Sequence, residues 1–304
     1  MFERAYLGKY AIGAFNVSNM EIVQGIAQAA LKTNSPIIFQ VSPGAIKYAG
    51  LKFLVVLVKT AIKESGIEAA LHLDHGDSLK LCKECVDAGF TSVMIDGSSL
   101  SFEDNVELTK CVVDYASFKG VSVEGELGRL CGAEEHIGGH DSSYTDPVQA
   151  KEFIKRTKVN SLAVAIGTSH GINKFGLETE PSLRFDILEE ISRLCTGLPI
   201  VLHGSSSIME KEVSEISKYG VNLKKARGIP EHILRKAASS AVCKINIDSD
   251  LRLAMTLSIK KFMHENPNNF DPRFYFKAAR ESVTDLVKQK IVNIFKSENR
   301  NNYN

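Results

Sequence analysis

Eight short runs of apolar, largely β-branched residues recur along the chain, each followed by a stretch with helical spacing. They start at Tyr10, Pro36, Glu68, Ser92, Val121, Leu162, Pro199 and Ala241. Successive starts lie 24 to 42 residues apart, room enough for a crossover helix each time. The runs are close to continuously hydrophobic, the pattern of parallel strands buried on both faces. Helix ends are marked between them. Ser78 precedes an apolar stripe of Leu79, Cys82 and Val86 that stops at Gly89; Ser101 stands three residues before Asp104; Asp146-Pro147 opens another helix; Gly220 closes one that begins near Ile208. Eight strand–helix units predict an α/β fold, a (β/α)8 barrel of the TIM type. No linker interrupts the series, so one domain over 1–304 is expected, with additional C-terminal helices beyond Leu251 that include Val283 to Phe295.

The polar residues fall where such a barrel would use them. The runs end in Asn16, Ser42, Asp74-His75, Asp96, Glu126, His170, His203-Gly204 and Asn246-Ile247-Asp248. A barrel brings the carboxyl ends of all its strands to one mouth, and each polar group buried there costs desolvation unless it is paired or used. His75, His170 and His203 form a candidate zinc set, because three imidazoles leave a coordination position open for a substrate oxygen. Period-two alternation puts His72 on the strand face opposite His75. His232 and His264 lie in helical segments, and His136 and His140 in a glycine-rich loop, where packing or solvation explains them. The loops Ile166–Gly171, His203–Ser207 and Asn246–Ser249 are rich in glycine and hydroxyl residues and follow strands six, seven and eight, the last two being the usual phosphate cradle of this fold. Cys82-x-x-Cys85 lacks a second pair at zinc-site spacing and reads as helix packing. Lys244, in a strand-eight position, reads as a barrel-wall or end residue rather than a Schiff-base nucleophile.

Composition narrows the classes. With 37 Lys+Arg against 36 Asp+Glu the 304-residue chain carries a net charge of +1, which removes the global electrostatic case for nucleic acid or an anionic membrane. No apolar run approaches the ~18 residues of a bilayer span. The first residues lack the pattern of a secretory signal. Six cysteines are too sparse for a disulfide scaffold, so reduced thiols and a cytoplasmic location are expected.

The segments LDHGD, MIDGS, VEGELGRL, AIGTSHG, PIVLHGSSS and CKINIDSDLRLAM, in this order, closely resemble the class II, metal-dependent fructose-1,6-bisphosphate aldolases, and the similarity runs from about Tyr10 to Phe295. The resemblance implies a homodimer or homotetramer that cleaves fructose 1,6-bisphosphate into dihydroxyacetone phosphate and glyceraldehyde 3-phosphate. It makes His75, His170 and His203 the ligands of a catalytic Zn2+, and Asp96 and Glu126 the carboxylates of an alternative or second metal position. It makes Asp74 the acid/base at the C4 hydroxyl and Glu134 the residue that exchanges the proton on the dihydroxyacetone phosphate carbon. Gly171, Gly204, Ser206, Asn246, Asp248 and Ser249 correspond to the region that holds this half of the substrate, and Ser42 to a contact with the aldehyde half. Lys174, Arg252 and Arg273 correspond to partners of the other phosphate, Arg273 supplied by a neighbouring subunit. A Na+ or K+ ion near the first phosphate is a further family feature. Pro43 and Ser205 depart from the small residues more usual beside the site. Two competing readings are a tagatose-1,6-bisphosphate aldolase, differing at C4, and a non-catalytic sugar-phosphate binder.

Overall fold

A computed structural model describes residues 1–134, 137–139, 143–170, 182–223 and 228–301; for 131–134, 137–139 and 170 it describes the backbone alone. All eight apolar runs are strands: β1 (Ile12–Asn16), β2 (Ile37–Val41), β3 (Ala69–Gly76), β4 (Ser92–Ile95), β5 (Ser122–Leu127), β6 (Ser161–Val164), β7 (Ile200–Leu202) and β8 (Val242–Ile247). Each is parallel to its neighbours, and β8 pairs back onto β1 to close the barrel. The cap residues act as their chemistry requires. Ser78 accepts a hydrogen bond from the Leu81 N–H, Asp146 accepts from those of Val148 and Gln149, and Gly89 ends its helix at φ 91°. Cys82 and Cys85 are buried on the helix Leu79–Ala88, where burial pushes both thiols up to about 12.

Two buried regions divide the side chains by parity. Odd positions such as Phe15, Phe39, Leu71, Leu73, Val93 and Val123 leave the barrel and pack against the surrounding helices. Even positions such as Ile12, Ile38, Met94 and Glu124 point inward; on β6 and β7 the parity is reversed, with Leu162, Val164, Ile200 and Leu202 outside and Ala163 and Val201 inside. At the amino end of the strands Ile12, Ala14 and Ile38 pack with Ala5 of the N-terminal helix Phe2–Gly8, an element the periodicity did not announce. Met94, Ala163 and Val201 form a middle patch. Above them the interior turns polar. Beyond β8 two long helices, Ser249–Glu265 and Pro272–Lys290, run into a π-helical turn, Ile291–Phe295. The Phe295 carbonyl accepts the Ala11 N–H at 3.0 Å, and its ring lies edge-on to Phe15 with centroids 6.0 Å apart, tying the chain's end to the entry of β1. No described helix is long and apolar enough to cross a membrane.

Candidate active site

The polar interior begins with β3, where His72 and Asp74 both point inward as alternation requires. His75 breaks the alternation. Its φ is +46°, a conformation that costs a non-glycine residue about 1–3 kcal/mol, and the register with β4 shifts between Leu73 and Gly76. The twist turns the His75 ring to the side already used by Asp74 and His72. The expectation that His72 and His75 occupy opposite faces is therefore wrong, because period-two alternation fails at a left-handed residue.

The His75 Nδ1 faces Asp96 Oδ2 at 3.0 Å, and its Nε2 faces the Nδ1 of His203 at 2.9 Å. The other His203 nitrogen, Nε2, lies 2.8 Å from Glu124 Oε1. A carboxylate accepts, so each ring donates its proton to its own acid, and two neutral rings would aim their remaining lone pairs at one point. Such a pair needs a second proton or a cation between the nitrogens. Burial disfavours charge on His75, but the Asp74 charge, the Asp96 hydrogen bond and Glu126 outweigh it and raise the ring to about 10. The same surplus of negative charge suits a divalent cation. Ligand atoms of Asp74, His75 and His203 lie within 4.8 Å of one another, and so do those of His75, Asp96 and Glu126. Glu126 Oε2 is buried without a hydrogen-bond partner, and burial, with Asp96 nearby, pushes this carboxyl well above its usual range. Asp96 is partly buried, which opposes its charge, yet hydrogen bonds from His75 and the Ser98 N–H hold it below that range. The donor set fits a divalent metal.

Around these rings the cleft is lined by Asn16, Gln40, Asp74, Asn246, Asp248 and Ser249, together with His203 to Ser206. Asp74 accepts from Asn16 Nδ2 at 2.9 Å, Gln40 Nε2 at 3.2 Å and Asn246 Nδ2 at 3.1 Å. Gly204 has φ 57°, and a Cβ there would stand 2.6 Å from the Ser169 carbonyl oxygen; only glycine lets these two loops approach so closely.

Other expected residues are placed differently. Ser42 is the N-cap of the helix Pro43–Ala49, accepting from the Ala45 N–H. Arg252 pairs with Asp248 at 2.7 Å. Arg273 pairs with Asp271 at the exposed start of its helix and does not line the cleft of its own chain. Lys244 sits in the barrel wall on β8, as expected, but its side chain turns inward. Its ammonium is fully buried inside the barrel, 2.9 Å from Glu124 Oε2 and 3.2 Å from His72 Nε2. His170 pairs through its backbone with Gly132 in a short sheet that includes Cys131–Glu134. The side chains of His170 and Glu134, and all of Gly171 and Lys174, lie outside the described residues. Glu124 and Gln40 escaped selection, and Asn16 was placed at the mouth without a role. The signal for them was present: Glu124 stands two residues before Glu126 and Gln40 two before Ser42, the spacing of one strand face.

Residues 1–300 match the family described as fructose-bisphosphate aldolase, class II. The chain belongs to the class II fructose-bisphosphate aldolase family. Fructose-bisphosphate aldolase of Treponema pallidum is 47% identical, with 99% of this chain and 96% of the relative covered, and that of Giardia intestinalis is 46% identical, with 96% and 90% covered. The crystal structure of the YdjI aldolase from Escherichia coli K12 superimposes with a TM-score of 0.79 at 29% identity, covering 98% of this chain and 97% of that one. Class II membership makes the chain a lyase that uses a divalent metal, and the paired rings of His75 and His203 with their carboxylates are where this chain can hold one.

Proposed function

We propose that this class II aldolase reversibly cleaves fructose 1,6-bisphosphate to dihydroxyacetone phosphate and glyceraldehyde 3-phosphate, using zinc held by His75, His203 and His170. The observation that carries the reading is the His75–His203 pair, each ring backed by its own carboxylate, opening onto a cleft lined by the two loops that follow β7 and β8. Asp96 and Glu126, on the far side of His75, suit a second metal position. The zinc supplies an electron sink for the carbon released when C3–C4 breaks. Asp74 takes the proton from the C4 hydroxyl as that bond breaks and C4 becomes the aldehyde. Three side-chain amides fix the Asp74 carboxylate for this transfer. Glu134 returns a proton to C3. Backbone N–H groups and hydroxyls of Gly204, Ser206 and Ser249, with Gly171, hold the ketone-side phosphate, and Lys174 and Arg252 the other. Arg273, exposed and outside the lining of its own cleft, suits a site in a neighbouring subunit.

Turnover of fructose 1,6-bisphosphate and of its C4 epimer, with and without exhaustive chelation, tests the proposal. Cleavage of the fructose substrate should vanish on chelation, return with stoichiometric zinc, and exceed cleavage of tagatose 1,6-bisphosphate by about 100-fold in kcat/KM, some 2.7 kcal/mol. Chelator-resistant activity with a borohydride-trapped lysine adduct would sink it.

A further inference from the structure

Behind the cleft, Lys290 at the end of the helix Pro272–Lys290 is buried, 2% exposed at the side chain. An ammonium has three protons to donate, and each finds an acceptor. One goes to the Ser207 hydroxyl, one to Asp250 Oδ1 at 3.0 Å and one to Glu231 Oε1 at 3.2 Å. Asp250 in turn accepts the Ser207 backbone N–H at 3.1 Å. Ser207 belongs to the loop after β7, and Asp250 to the first turn of the helix after β8. Lys290 thus joins the two loops whose other faces, through Gly204, Ser206 and Ser249, line the cleft. The opposite edge of the β7 loop is held as closely. Ile229 N–H donates to the Ser206 carbonyl at 3.0 Å, and a Cβ on Gly228 would come within 2.2 Å of the Ile208 nitrogen.

We infer that Lys290 is a positioning residue for substrate phosphate: it never touches the ligand, but clamps the loops after β7 and β8 into one preformed anion cradle. The inference rests on the phosphate role proposed above for those loops. A bare cavity filler would not need a charge here, since methionine fills similar volume without the desolvation that an ammonium suffers. The position calls for three donors converging from one point, and Lys290 supplies them.

The test uses the zinc-loaded enzyme and two variants, Lys290→Met and Lys290→Met/Asp250→Asn. The second removes both charges, so it avoids stranding a buried carboxylate if the single variant does not fold. Affinity for dihydroxyacetone phosphate and for inorganic phosphate is read by calorimetry, bound zinc by metal analysis, and KM and kcat by turnover. The clamp predicts at least tenfold weaker binding of both anions, a KM that rises more than kcat falls, and zinc content unchanged. Anion affinity within twofold of the parent in either folded variant would overturn it, and so would loss of zinc in parallel with phosphate. Hydrogen exchange in the unmutated holoenzyme adds a measurement that needs no variant: the Ser207 amide should exchange as slowly as barrel-strand amides, and exchange at the rate of exposed loops is incompatible with a clamp. Failure of the unmutated enzyme to cleave fructose 1,6-bisphosphate would count against the proposed reaction alone, because the clamp is read on anion binding.

Discussion

Asp74 accepts from three side-chain amides while lying within ligand distance of two imidazoles, so its role is decided by what its neighbours already do. His75 and His203 present ring nitrogens that carboxylates on their far sides have oriented, the arrangement that raises a ligand's basicity. Asp74 lacks any such backing. Its amide partners restrict it to one orientation, which suits a group that must meet a hydroxyl at a fixed place. We predict that Asp74→Ala retains zinc and lowers kcat by a factor on the order of 10², the usual size of a lost general base, with KM little changed. Loss of zinc in that variant, measured by metal analysis, would make Asp74 a ligand instead. His75→Ala should behave in the opposite way, losing metal first. Asp248 shows how a polar residue serves two demands: it lines the cleft and pairs with Arg252 one helical turn on, so its charge is partly answered before any sugar arrives.

Elements were legible in the sequence in proportion to how local their causes are. The eight strands, the cap residues Ser78 and Asp146 and the C-terminal helices follow from short-range pattern and turn chemistry. The mouth residues followed from their places at strand ends. The left-handed twist at His75 did not, because a side chain's φ is set by the packing around it; nor did the inward polar layer of Gln40, His72, Glu124 and Lys244, which looks in sequence like isolated interruptions of apolar strands. Long-range pairs were hidden for the same reason: nothing in the local sequence joins Lys290 to Asp250, 40 positions apart. That pair carries a pH signature. Burial opposes ionisation of Asp250, but the Lys290 charge outweighs it and holds the carboxyl below its ordinary 3.8, while Lys290 is raised above 10.5 by Asp250 and Glu231 against the same burial. A depressed carboxyl contributes stability that is full above the unfolded value and is lost as pH falls through the folded one. The lysine's share is full below 10.5 and is lost as pH climbs past its raised value. Asp250→Asn should destabilise at pH 7 by less than the roughly 3–5 kcal/mol of a fully stranded buried charge, because Glu231 still pairs with Lys290. Its denaturation midpoint should also fall less steeply than the parent's below pH 4. Parallel midpoint–pH curves for the two proteins would show that the pair contributes no acid sensitivity.

At the scale of the whole molecule the barrel separates two tasks. Helices around it bury the outward-facing positions of each strand and supply stability, while the inward positions are apolar at one end and polar at the other. Near-neutral charge leaves no general field to draw in the substrate's phosphates. One region has no such role within a single chain. Where the two long C-terminal helices join, Phe270 is 93% exposed, Phe274 52% and Arg273 88%. Two exposed phenylalanines beside an arginine suit an interface in which the arginine is delivered to another chain's cleft. Burying four such rings across a two-fold axis yields about 8 kcal/mol at some 2 kcal/mol each, within the range of about 4–15 that association costs. A dimer anchored on these rings would need further surface to complete it. We predict a homodimer by light scattering at micromolar concentration, and a shift toward monomer in Phe270→Glu/Phe274→Glu with zinc content retained. If Arg273 acts in trans, that monomer should show a KM for fructose 1,6-bisphosphate raised at least tenfold, and Arg273→Ala should raise KM similarly while leaving the dimer intact. A parent enzyme that is fully active as a monomer would exclude any contribution of Arg273 across subunits.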